Sequence, residues 1–234
     1  MNNPTQVPTT REVRIPSGEV WLYGDLALPP DFTGLVLFAH GSGSGRHSAR
    51  NRLVARRLQQ AGIATLLFDL LTAQEEQTDL HTREHRFDMA LLTRRMQDAT
   101  TWATAQPDLQ HASIGYFGAS TGSAAALIDA ARLGKRIAAV VSRGGRPDLA
   151  GPVVLAAITA PTLLIVGGAD HEVMELNEQA LRQLRCDKRL AVVAGATHLF
   201  EEHGALEQVA ELAASWFSAH LAPGEPMEPM GHAS

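Results

Sequence analysis

Hydrophobic positions in this chain fall into two rhythms. Short apolar runs occupy 35–39 (Leu-Val-Leu-Phe-Ala), 64–68, 113–117, 138–142, 162–166 and 189–193. Each is bounded by Gly, Pro or Asp, and several are apolar at consecutive positions. Unbroken runs of this length predict strands buried on both faces of a parallel sheet. Ahead of them, residues 12–16 and 20–28 read as two strands joined by a tight turn at Ser17-Gly18. Helical periodicity fills the gaps at about 47–61, 86–105, 121–133, 172–184 and 204–220. In the second of these, Phe87, Leu91, Met96, Ala99 and Ala103 share a face. An opening antiparallel pair followed by repeated strand–helix units predicts an α/β fold with a mostly parallel central sheet of about eight strands. The expected domain spans 11–221, with a loose polar segment at 1–10 and a Pro- and Gly-bearing tail at 222–234.

Composition narrows the functional classes. Of 234 residues, 45% are hydrophobic and 19% charged, which is globular and argues against disorder. The formal net charge of −5 lacks the basic excess of a nucleic-acid binder. A single cysteine, Cys186, cannot form an internal disulfide. Residues 1–6 lack a basic region and an apolar core, and the longest apolar stretch, 153–166, is broken by Thr159, Pro161 and Thr162. The expectation is a soluble cytoplasmic protein with a small-molecule substrate and no nucleic-acid or membrane partner. A homodimer is the default assembly.

In open parallel sheets, ligands bind beyond the carboxyl ends of the strands. Those positions hold His40-Gly41-Ser42-Gly43, Asp69, Gly118-Ala119-Ser120, Ser142-Arg143-Gly144-Gly145, Gly167-Gly168-Ala169-Asp170 and Ala196-Thr197-His198. Gly118-Ala119-Ser120-Thr121-Gly122 matches G-x-S-x-G between a strand and a small-residue helix start, the setting of a nucleophile elbow. The alternative reading makes Ser120 a helix cap. A serine hydroxyl needs a base, and the base needs an orienting acid. Asp170 and His198 follow strand ends in the required order. Asp148 is a rival acid and His203 a rival base. Oxyanion donors are expected from the backbone N–H groups of Thr121 and of Ser42 in the first glycine-rich loop.

Other patterns compete for attention. The strand, glycine-rich turn and Asp69 imitate a dinucleotide-binding unit, but Arg46 stands where that motif needs a small residue. His81-Thr82-Arg83-Glu84-His85 matches H-x-x-E-H, yet lies in the polar stretch 74–84 and reads as a loop or first turn. Glu75-Glu76 read as a solvated loop. Arg143 and Arg146 flank Gly144-Gly145 and are candidates for holding a substrate carboxylate, or for bracing the loop.

These residues together resemble the α/β-hydrolase superfamily, in particular its small dienelactone-hydrolase-like branch. The resemblance covers about residues 12–221. It rests on His40-Gly41-Ser42-Gly43-Ser44, Phe117-Gly118-Ala119-Ser120-Thr121-Gly122, Val166-Gly167-Gly168-Ala169-Asp170 and Gly195-Ala196-Thr197-His198-Leu199-Phe200. It implies Ser120 as nucleophile, Asp170 as acid and His198 as base, with no metal or organic cofactor. Dienelactone hydrolase itself uses a cysteine nucleophile. The serine here therefore points to a carboxylesterase, with thioester hydrolysis, acyl transfer or a non-catalytic binding role as alternatives. Only 50 positions separate Ser120 from Asp170, too few for a large cap domain, so an open site for small or short-acyl esters is expected.

Overall fold

The computed structural model describes residues 7–221. The polar ends at 1–6 and 222–234 lie outside the described residues. One eight-stranded sheet runs through the molecule in the order β1-β2-β4-β3-β5-β6-β7-β8. The strands are β1 (Thr9–Ser17), β2 (Val20–Leu28), β3 (Gly34–Ala39), β4 (Ala64–Phe68), β5 (Ser113–Ala119), β6 (Ile137–Arg143), β7 (Thr162–Gly167) and β8 (Lys188–Val193). β1 and β2 form an antiparallel hairpin, from Thr9 opposite Leu28 to Ser17 opposite Val20. β2 pairs antiparallel with β4, and every pairing from β4 to β8 is parallel. The hairpin begins at Thr9, so residues 9–10 belong to a paired strand rather than to the loose segment expected at 1–10.

Consecutive apolar residues in the central strands feed two cores. In β3, Leu35, Leu37 and Ala39 pack on one face, against α3 (Met89–Thr104) and α4 (Thr121–Leu133). Val36 and Phe38 pack on the other, against α1 (Ala49–Gln60) and α7 (Ala205–His220). All six residues of β3 are buried, which is why the run shows no alternation.

Strand order decides where a site can form. The chain leaves β3 for β4 on one side, then returns to place β5 on the other. The loops after β3 and β5 thus diverge to opposite faces, opening a crevice at the switch point between them. Ser120 follows β5 and Ser42 follows β3, so both stand at that crevice.

Two helices escaped the periodicity. α2 (Ala73–Thr82) covers most of the polar stretch read as loop, and α5 (Pro152–Ala157) precedes β7. α2 buries only Asp79, so it carries almost no apolar stripe. It is fixed instead by a capping box: Thr72 Oγ1 accepts from the Glu75 amide, and Glu75 accepts from the Thr72 amide. The sixth helix in chain order, α6 (His171–Gln183), starts one residue before its expected position.

Beneath the sheet, a polar chain crosses the core. Thr100 Oγ1 meets the Tyr116 hydroxyl at 2.6 Å, and that hydroxyl donates to Asp129 Oδ2 at 2.7 Å. Asp129 Oδ1 has no partner among the described residues. Burial pushes the Asp129 carboxyl up to about 6, only partly opposed by the Tyr116 hydrogen bond. A raised folded-state pKa means the native state binds the proton more readily than the unfolded chain. Stability from this group therefore falls as pH rises from about 4 to about 6, by ~2–3 kcal/mol at most. Asp129→Asn removes that penalty while keeping an acceptor for Tyr116. The melting temperature of the variant relative to wild type is expected to be higher at pH 8 than at pH 4.5. Equal differences at both pH values would contradict a buried, titrating Asp129.

Candidate active site

Ser120 sits between β5 and α4 with φ 49° and ψ −124°. A non-glycine residue in this region costs ~1–3 kcal/mol and needs surroundings that enforce it. Here the Ser120 carbonyl accepts from the Ser123 amide (3.1 Å), the Arg146 amide (3.2 Å) and the Ser123 hydroxyl (2.7 Å). The Ser120 amide donates to the Arg143 carbonyl at 3.2 Å. The flanking glycines are steric necessities. A Cβ on Gly118 would lie 2.9 Å from the Ser123 nitrogen, and one on Gly122 would strike the Ala39 and His40 carbonyls. The Ser120 side chain makes no capping hydrogen bond to α4, so the helix-cap reading of this serine is set aside.

Facing it is the loop after β3. Its geometry is set by His40, which is buried. The Leu70 amide donates to His40 Nε2 at 2.8 Å, so Nε2 is the acceptor and Nδ1 carries the proton. Nδ1 in turn donates to the Gly41 carbonyl at 2.9 Å. Burial lowers the His40 pKa, which favours this neutral form. Glycine at 41 lets the loop approach: a Cβ there would be 3.0 Å from Ser120 Cβ. The Ser42 and Thr121 hydroxyls meet at 3.0 Å, joining the loop to the first turn of α4. Thr121 opens that helix, so its backbone N–H has no intrahelical acceptor.

Asp170 and His198 arrive from neighbouring strands. The turns after β7 and β8 are stitched together by Gly168 N to the Val193 carbonyl (2.8 Å) and Ala169 N to the Ala196 carbonyl (2.9 Å). This brings His198 Nδ1 to 2.7 Å from Asp170 Oδ2. The His198 turn is held from behind. Thr197 donates to Glu202 Oε1 through its amide (3.1 Å) and its hydroxyl (2.6 Å), and the hydroxyl bond chiefly lowers the Glu202 pKa. Buried Phe200 locks the turn at φ 56°. The Asp170 side chain is 14% exposed and that of His198 is 39%, so the acid is sheltered and the imidazole reaches solvent.

Ser42, Ser120, Thr121, Asp170 and His198 all line one open cleft of about 430 Å³. The cleft therefore brings together the five residues expected to form the catalytic machinery. The rival acid Asp148 is instead bound by Arg146 in a two-point ion pair, 2.8 and 2.7 Å. The rival base His203 lies in the turn ahead of α7. Asp69 accepts from the Arg46 amide at 2.8 Å and faces its guanidinium at 3.4 Å. Arg46 also contacts Glu12 and Asp25, so this arginine ties the glycine loop to the hairpin. His81 sits on the last turn of α2 with Nδ1 on the Gln77 carbonyl, and His85 pairs with Glu84. Arg146 borders the cleft, whereas Arg143 is buried behind it, bonded to Asn51 at 3.3 Å. Burial first, and Arg50 second, lower the Arg143 pKa to about 10. Cys186 is half-buried 3.7 Å from the Thr162 hydroxyl, and burial raises its pKa.

Five cleft residues were not singled out from the sequence: Glu172 and Val173 in the first turn of α6, and Arg83, Arg86 and Phe87. The last three follow α2, whose C-cap Arg83 has φ 60°. Asp79 then clamps the segment, accepting from the His85 and Arg86 amides (2.9 and 3.0 Å) and from Arg86 Nε (2.7 Å). The legible signal is Thr72-Ala73-Gln74-Glu75, a capping-box pattern placing a helix in the stretch.

An eight-stranded, mostly parallel sheet with this crevice, and no large cap among the described residues, defines an α/β-hydrolase. The model of the dienelactone hydrolase family matches residues 26–221, and the chain belongs to that family. It is similar to a dienelactone hydrolase from Anabaena variabilis, at 57% identity and TM-score 0.89, covering 92% of this chain and 99% of that one. At 18% identity the likeness to the esterase domain of a Rhodothermus marinus protein concerns the fold alone, with TM-score 0.73 and coverage of 92% and 100%. Two Mycobacterium tuberculosis proteins named "Putative phosphoribosyl transferase" are 55% identical over 210 residues, 90% of this chain. The chain spans 46% of the length of each. Among the described residues no helix is long and apolar enough to cross a membrane.

Proposed function

We propose that this protein is a serine hydrolase that cleaves carboxylic esters through an acyl-enzyme. The observation that carries the reading is a serine held in a left-handed elbow, on the same cleft as a histidine fixed by a 2.7 Å bond to a sheltered carboxylate. Asp170 accepts from Nδ1 of His198 and so leaves Nε2 free to act as base. Ser120 Oγ attacks the ester carbonyl while His198 takes its proton. The oxygen that becomes negative is met by the Ser42 and Thr121 amides. As the tetrahedral centre collapses, the C–O bond to the alcohol breaks and His198 returns the proton to the leaving oxygen. Water then repeats the sequence on the acyl-enzyme and releases the acid. Thioester hydrolysis or acyl transfer would use the same groups and differ only in leaving group or acceptor.

The 55% identical relatives support a second reading, transfer of a phosphoribosyl group. It is the weaker one, since the match spans 46% of those proteins. The test is a panel of p-nitrophenyl acetate, butyrate and octanoate, a thioester, and a phosphoribosyl donor. Ester turnover together with labelling of Ser120 by a fluorophosphonate is the expected result. A folded protein that neither turns over esters nor takes the label would overturn it.

A further inference from the structure

Beside the open cleft lies a second, much smaller cavity of about 20 Å³. It shares Ser42, Thr121 and Arg86 with the cleft, but is not bordered by Ser120, Asp170 or His198. Four leucines supply its apolar wall: Leu70 and Leu71 after β4, Leu80 on α2 and Leu92 on α3. Its polar neighbours are mostly engaged with one another or with the backbone. His40 bonds Leu70 and Gly41, Asp69 bonds Arg46, and Asp79 bonds Arg86. Surfaces so arranged offer a ligand hydrocarbon contact rather than hydrogen bonds.

Building on the ester-hydrolase reading, we infer that this cavity receives the acyl chain, and that Leu80 sets the chain length accepted. An ester carbonyl oxygen seated between Ser42 and Thr121 leaves the two carbonyl substituents on opposite sides. The alcohol oxygen must lie near His198, which protonates it. His198 borders only the open cleft, so the alcohol leaves there. The acyl substituent points the other way, into the leucine-lined cavity. A space of about 20 Å³ takes one water or one methyl group. The favoured substrates are thus acetate-type esters, with bulk tolerated on the alcohol side.

Leu80 closes the cavity from outside, being 58% exposed while still lining it. The cavity shares Gly43, Ser44, Asp69, Leu71 and Glu76 with an outer groove of about 620 Å³ that Trp21 and Tyr23 also line. Glu76 lines the cavity, and its carboxylate disfavours acyl chains that end in an acid. The acyl group accepted is therefore neutral and short.

The experiment compares kcat/KM for p-nitrophenyl acetate and butyrate in wild type, Leu80→Ala and Leu80→Trp. A parallel series holds acetate constant and lengthens the alcohol. Each methylene newly accommodated is worth about fourfold, so accommodating butyrate's two extra methylenes in Leu80→Ala should raise the butyrate-to-acetate ratio by about fifteenfold. Leu80→Trp should lower it. Val153→Ala, on the exposed side of α5, should leave it unmoved. Leu80 is largely exposed, so neither of its variants removes core packing. If all proteins hydrolyse esters and the Leu80 variants keep the wild-type ratio, the cavity assignment is overturned while the hydrolase reading stands. If the Leu80 variants instead shift selectivity for the alcohol, the two sides are reversed and the inference is wrong. Absence of ester turnover in wild type overturns both.

Discussion

Ester hydrolysis by Ser120→Ala is expected to fall by ~10⁴–10⁶-fold in kcat, with little change in melting temperature. The two halves of this expectation have separate physical grounds. Removing Oγ removes the attacking atom, and what survives is the contribution of the Ser42 and Thr121 amides and of binding. The fold should hold because the Ser120 side chain makes no capping bond, while its backbone is fixed by four hydrogen bonds that alanine retains. Asp170→Asn tests the same arrangement from the other end. An amide facing His198 Nδ1 at 2.7 Å can present its NH₂ and favour the wrong tautomer, so kcat should drop ~10⁴-fold. Steady-state kinetics on p-nitrophenyl acetate, with purified variants made in a host lacking background esterase, reads both. Wild-type turnover in Ser120→Ala would remove this serine from the mechanism.

The strands were the most legible part of the fold. β4 lies at its expected limits, 64–68, and β3 differs by one residue, because both are buried on both faces and bounded by turn residues. Strand order was not readable. Nothing in the run 35–39 says that β4 will pair on one side of it and β5 on the other. That pairing is a long-range choice, made where the helices after β3 and β5 pack on opposite faces.

The site was legible for a different reason. Ser120 and Asp170 stand near glycines whose absence of a side chain is forced by close approach, and the turn before His198 holds Gly195 at φ +72°, so each was marked by its neighbours as well as by itself. Gly167, for example, admits no Cβ because the Ala196 and Thr197 backbones press against it, and that contact brings the Asp170 and His198 turns together. Arg83, Arg86 and Phe87 had no such marker. They reach the cleft because a polar helix ends in a left-handed residue and Asp79 gathers the following amides. Hydrophobic periodicity does not report a helix held by capping and ion pairs. A buried aspartate in a polar stretch is also indistinguishable in sequence from a solvated one.

The largest stability effect is expected at a residue that does no chemistry. Gly122 lies in the first turn of α4, and a Cβ there would collide with the carbonyl oxygens of Ala39 and His40. Both are backbone atoms with no freedom to yield. Ala39 ends β3, which is hydrogen-bonded on both sides, and His40 is pinned through its ring to Leu70. To admit a methyl group, α4 must move off the sheet, taking the Ser120 elbow with it. Gly122→Ala should therefore cost more than ~4 kcal/mol and lower the melting temperature by ~10 °C or more, or leave the protein insoluble. Gly18 in the hairpin turn provides the contrast. Its φ is +59°, but a Cβ there meets nothing within 4 Å. Gly18→Ala should cost only about 1 kcal/mol of backbone strain, a shift of ~2–4 °C. Thermal unfolding followed by circular dichroism separates the two. Similar shifts for both variants would mean that the approach of α4 to β3 is looser than these contacts require, and the close packing behind the elbow would lose its role in holding Ser120.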